Sequence, residues 1–141
     1  MDRIDTACII DDDNIFIYGL KRMMQVAKFC DSIMIYRDGQ EALDSLKAII
    51  SNKEKLPDVI LLDLNMPILD GWQFLDEFVQ IELDKKIIIY IVSSSVDPAD
   101  VLRAQEYSAV TNYILKPVSM EVLQEIFQDI KRDITPDKID K

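Results

Sequence analysis

The sequence predicts an α/β fold, a doubly wound parallel sheet of five strands with five helices on its two faces. Three observations predict it. Short apolar runs alternate along the chain with stretches whose apolar residues recur at the helical period. Two of those runs, residues 59–62 and 87–92, are apolar at nearly every position, as strands buried on both faces are. Three runs also stop on charged residues: one on Asp11, Asp12 and Asp13, one on Asp63 and one on Lys116. Strand C-termini of an open parallel sheet lie along one edge, and ligands bind in the crevice there. These charged groups are therefore expected together.

The first strand is expected at residues 6–10, running straight into the three aspartates. Asp13 then has the place of a helix N-cap, ahead of a stripe of Phe16, Leu20, Met23, Met24 and Ala27. A second strand at 33–36 precedes a stripe of Ala42, Leu43, Leu46, Ile49 and Ile50. The third strand, 58–62, ends on Asp63, and a turn at Asp70 and Gly71 opens a helix with Phe74, Leu75, Phe78 and Val79 on one face. After the fourth strand, 87–92, come Ser93 and then Asp97 and Pro98, an N-cap with proline at the first helical position. That helix has the thinnest apolar stripe, Val101, Leu102 and Tyr107, which fits either a helix free to shift or thin burial at the domain's edge. The fifth strand, 111–115, leads to Lys116 and Pro117, an X-Pro bond with access to cis. The last helix carries Leu123, Ile126, Phe127 and Ile130. Residues 1–131 are thereby assigned to one domain and 132–141 to a polar tail, with no effector domain expected.

A chain of 141 residues is long enough to bury a core without staples. Its net charge of −10, from 26 acidic against 16 basic residues, offers no basic face for nucleic acid. The longest apolar runs are too short to span a bilayer and no basic-then-apolar leader opens the chain, so a cytoplasmic location away from the membrane is expected. Cys8 and Cys30 form no disulfide pattern and read as small hydrophobes of a reducing compartment. There is no histidine. The chain itself therefore carries no phosphohistidine, no Ser–His pair and no histidine metal site.

The groups at the strand ends complement one another chemically. Clustered carboxylates repel each other and favour a hard cation such as Mg2+. Asp63 is then a candidate both for metal ligand and for nucleophile, since a carboxylate attacks phosphorus to give an aspartyl phosphate. Ser93 offers a hydroxyl to a phosphate oxygen, and Lys116 a point positive charge. The run of Ser93, Ser94 and Ser95 leaves open which hydroxyl does so, although order along the chain favours Ser93.

In combination, Ile10-Asp11-Asp12-Asp13, Leu61-Leu62-Asp63-Leu64-Asn65-Met66-Pro67 with Asp70-Gly71, Val92-Ser93-Ser94 and Tyr113-Ile114-Leu115-Lys116-Pro117 resemble the receiver domain of two-component response regulators, of the stand-alone chemotaxis-receiver type. The resemblance runs from about residue 6 to residue 131 and implies a flavodoxin-like receiver fold with strand order 2-1-3-4-5. It implies Asp63 as phosphoacceptor, and Asp11, Asp12, Asp63 and the backbone carbonyl of Asn65 as Mg2+ ligands. It further implies Ser93 as switch hydroxyl, Tyr113 as a rotating aromatic and Lys116 as phosphate partner. Ser93 stands where threonine is commoner, and residues 108–112 lack the glycine often found before the fifth strand. The donor implied is a histidine kinase or a histidine phosphotransfer protein, and the output a contact with a downstream protein. Such a chain is a phosphoacceptor switch with intrinsic transfer and autodephosphorylation chemistry, not an enzyme.

Other readings fit less well. A flavin carrier would need N–H and hydroxyl donors after the first strand, where three aspartates stand. A phosphatase of the haloacid-dehalogenase type needs a second aspartate two residues beyond the nucleophile, and this chain has Asn65. The runner-up is a pseudo-receiver, a binding module that works without phosphorylation; the full set of Asp11, Asp12, Asp63, Ser93 and Lys116 speaks against it.

Overall fold

The computed structural model describes residues 4–134. Five strands, β1 (Thr6–Ile10), β2 (Ser32–Tyr36), β3 (Val59–Leu62), β4 (Ile88–Ser93) and β5 (Val110–Leu115), alternate with five helices: α1 (Asn14–Val26), α2 (Gly39–Ser51), α3 (Gly71–Phe78), α4 (Pro98–Gln105) and α5 (Met120–Ile134). All strand pairs are parallel, in the order β2-β1-β3-β4-β5. This is the doubly wound receiver order the motifs imply.

The strands' side-chain period of two divides the core into two layers. Ala7, Ile9, Val59, Leu61, Ile88, Tyr90 and Val92 face α1 and α5, meeting Ile17, Leu20 and Met24 of the first and Leu123, Ile126 and Ile130 of the second. Cys8, Ile10, Ile60, Leu62, Ile89 and Ile91 face the other side, against Ala42, Leu43 and Leu46 of α2 and Phe74, Leu75 and Phe78 of α3. α4 contributes only Ala104 to this layer; Leu102 is 62% exposed. Val79 lies exposed just past α3, outside the stripe expected of it.

Aspartate caps set where the helices begin. Asp13 accepts from the N–H groups of Ile15 and Phe16, Asp38 from Glu41, and Asp97 from Ala99. Asp70 and Gln73 exchange bonds in a capping box at α3. Several boundaries differ from expectation. Asp58 lies before β3, where its carboxylate accepts from the N–H groups of Asp5 and Thr6. β5 starts at Val110 and shifts register against β4 at Ile89 and Tyr90, so Thr111 forms a bulge in the glycine-free stretch. α5 runs to Ile134, three residues beyond the expected end of the domain, and Lys131 and Arg132 favour the negative end of its dipole. The rest of the expected tail, 135–141, lies outside the described residues.

Candidate functional site

Backbone bonds line up the strand ends. The N–H of Asp11 donates to the Tyr36 carbonyl, that of Asp63 to Ile10, and that of Lys116 to Ser93, each within 3.0 Å. Asp11, Asp63 and Ser93 are buried, and Asp12 is exposed at the rim. Oxygens of Asp11, Asp12 and Asp63 lie within 4.8 Å of one another. Lys116 Nζ sits 2.9 Å from Asp11 Oδ2 and 3.7 Å from Asp63 Oδ1. Four of the expected residues thus meet in one crevice, and the Lys116–Pro117 bond is cis.

Three carboxylates against one ammonium leave an excess of negative charge in a half-dry pocket. Burial, and then the charge of Asp11, push the Asp63 carboxyl up to about 6, against the pull of Lys116 and a bond from the Leu64 N–H. Burial also raises Asp11, although the bond from Lys116 opposes it. Asp11 is not merely repelled here, since its Oδ1 also accepts the Asp13 N–H at 2.9 Å. Oxygen donors of this number, spacing and charge fit a hard divalent cation. Asn65 is exposed in the loop after Asp63, and its carbonyl is the fourth donor the motif implies.

The three serines have separate roles. Ser93 is the last residue of β4, fully buried, and its hydroxyl accepts the Ser95 N–H at 3.1 Å. Ser94 is exposed. Ser95 donates its hydroxyl to Asp100 of α4 at 2.6 Å, and its carbonyl accepts the Tyr113 hydroxyl at 3.0 Å. Tyr113 is half-buried, already bound to the β4–α4 loop. Ser95 thereby ties Ser93, Tyr113 and α4 to one another, a role the run of three identical letters conceals.

Three further contributors were not visible as site residues. Gly71 and Gly39, the first residues of α3 and α2, press on the loop that carries Asp63. A Cβ on Gly71 would stand 2.4 Å from the Asp63 carbonyl oxygen, and one on Gly39 2.3 Å from that of Leu69. Phe16, expected only as part of a core stripe, lies with its ring centroid 4.2 Å from Lys116 Nζ.

A family model described as the response regulator receiver domain matches residues 7–128. Among curated proteins, the chain is 30% identical over 123 residues to the probable methanogenesis regulatory protein FilR2 of Methanothrix harundinacea, covering 87% of this chain and 79% of that one. It is 38% identical over 97 residues to the sensor histidine kinase CheAY of Helicobacter pylori, covering 69% of this chain but 11% of that protein. Among solved structures, a two-component response regulator from Cytophaga hutchinsonii superposes with a TM-score of 0.81 at 28% identity, over 91% of this chain and 97% of that one.

Proposed function

Since the chain belongs to the response regulator receiver domain family, we propose that Asp63 takes a phosphoryl group from a phosphohistidine donor with Mg2+ and so switches a protein-binding surface. The observation that carries this reading is the pocket itself: a buried carboxylate beside two others, with the ammonium of Lys116 within 3.7 Å. An Asp63 oxygen attacks phosphorus, the bond from phosphorus to the donor nitrogen breaks, and the donor imidazole leaves with that electron pair. Asp11, Asp12, Asp63 and the Asn65 carbonyl would hold Mg2+, which would neutralise charge on the phosphoryl oxygens. Lys116 meets one of those oxygens, and Ser93 turns its hydroxyl to another. The donor is a histidine kinase or a phosphotransfer protein, and the chain acts as an acceptor switch and not as an enzyme on other molecules. The same reading places it in the cytoplasm; among the described residues no helix is long and apolar enough to cross a membrane.

The expected chemical signature is an acyl phosphate. Acetyl phosphate with Mg2+ should add one phosphoryl group to the intact mass, and hydroxylamine should remove it. Asp12→Ala should raise the Mg2+ concentration needed by roughly tenfold, the weight of about 1.4 kcal/mol of lost ligation. A gain that resists hydroxylamine, or an unchanged Mg2+ requirement in the variant, would count against the assignment.

The signal leaves through α4 and β5. When Ser93 turns to the phosphoryl group its bond with the Ser95 N–H is lost, and Ser95 holds both Tyr113 and Asp100. The C-terminal end of α4 also meets α3: Arg103 lies over the Trp72 ring, and just past the helix Tyr107 stacks on Trp72 and donates its hydroxyl to Asp76 at 2.6 Å. Beside it runs a groove of about 450 Å³ lined by Val101, Ala104, Val110 and Tyr113. Coupling between such sites is typically about 1–3 kcal/mol, or roughly 5–150-fold in partner affinity. Hydrogen exchange with beryllofluoride should change at residues 95–107 and 110–115. Changes confined to α2 would place the output face elsewhere.

A further inference from the structure

We propose that Phe16 is a positioning residue for Lys116, its ring seating the ammonium that meets the phosphoryl group. The inference rests on the phosphoacceptor reading above. Lys116 Nζ lies 4.2 Å from the Phe16 ring centroid, inside the range where a cation is drawn to an aromatic face. The Lys116 side chain is only 15% exposed, so water competes weakly for the charge. Phe16 is itself held in place. Its N–H donates to the Asp13 carboxylate at 3.2 Å, and it packs against the core layer between the sheet and α1. The Asp13 N–H in turn donates to Asp11 Oδ1, and Asp11 Oδ2 pairs with Lys116. The contacts form a closed circuit from Phe16 through Asp13, Asp11 and Lys116 back to the ring.

That circuit answers a difficulty in the site. A lysine on a flexible four-carbon stem needs something to hold it. Its partner Asp11 is also a candidate cation ligand, so cation binding draws off part of the carboxylate's attraction just when the lysine must face a phosphoryl oxygen. The ring's attraction is independent of that competition, because Phe16 contributes no ligand and no charge. A residue that merely fills the core would contribute volume, and leucine or an electron-poor ring would serve equally well.

The test varies the ring's electrons at constant shape. Phenylalanines with one, two and three fluorines are placed at position 16, alongside Phe16→Tyr and Phe16→Leu, and phosphoryl uptake from acetyl phosphate at saturating Mg2+ is timed by intact mass. The rate should fall stepwise with each fluorine, stay within about twofold of wild type in Phe16→Tyr, and drop roughly threefold to tenfold in Phe16→Leu. A flat fluorine series in a chain whose wild type is phosphorylated would overturn this inference alone. A wild type that gains no phosphoryl group would overturn the phosphoacceptor reading and this inference with it.

Discussion

Asp63→Asn should stabilise the metal-free protein at neutral pH by about 2–3 kcal/mol, since each pKa unit is worth about 1.4 kcal/mol. The folded chain raises this carboxyl from 3.8 to about 6, so between those values the folded state holds a proton that the unfolded chain has released. Stability from this group therefore falls as pH rises from about 4 to about 6, and above that the full cost of the buried charge is present. Asparagine keeps the volume, removes the charge and leaves Lys116 its closer partner, Asp11. For a chain of this size the gain corresponds to roughly 5–10 °C in melting temperature. Thermal melts of both proteins without divalent cation, at pH 7.5 and again near pH 4, read it directly; the advantage should be large at the first and nearly gone at the second. Mg2+ should stabilise the wild type more than the variant. A variant less stable than wild type at pH 7.5 would mean that Asp63 is anchored by contacts outweighing its burial.

Gly71→Ala should destabilise by about 2–3 kcal/mol, against the usual preference of helices for alanine. The added Cβ would lie 2.4 Å from the Asp63 carbonyl oxygen and 2.8 Å from Leu64 Cα, and both are backbone atoms that no rotamer change removes. Either the start of α3 or the strand end bearing Asp63 must move, so phosphoryl uptake should slow as well. Gly19 provides the internal comparison. It lies inside α1 with nothing within 4 Å of a Cβ, and Gly19→Ala should stabilise by about 0.5–1 kcal/mol. Denaturant unfolding of the pair separates the two effects. Equal shifts in both variants would mean that the close approach at Gly71 is not a constraint.

The sheet was legible because its signals are dense and mutually supporting: apolar runs of strand length, a helical period between them, and charged residues where each key strand stops. Asp11, Asp12, Asp63 and Lys116 were legible for the same reason, since parallel topology alone sends strand ends to one edge. What escaped depends on distance between segments remote in sequence. Gly39 looks like any loop glycine until Leu69 is seen against it. Phe16 fits a core stripe, and only the fold brings it beneath a lysine one hundred residues away. Ile68 has φ 71°, a left-handed conformation uncommon for a β-branched residue, within a tight turn closed by the Leu69 N–H and the Pro67 carbonyl. No propensity announces it. The thin stripe of Val101, Leu102 and Tyr107 was visible, but the stacking of Tyr107 on Trp72, with Arg103 over the same ring, was not. Boundaries moved where a bulge or a continuing helical turn overrode local pattern, at Thr111 and beyond Lys131.

The assignment of the acceptor is tested most directly by intact mass after incubation with acetyl phosphate and Mg2+, with wild type and Asp63→Asn run side by side. The wild type should gain a single phosphoryl group and lose that gain when Mg2+ is chelated beforehand. The variant should gain none, while its melting curve shows that it is folded. A phosphoryl group that appears on folded Asp63→Asn at the wild-type rate would place the acceptor on another residue and contradict the account.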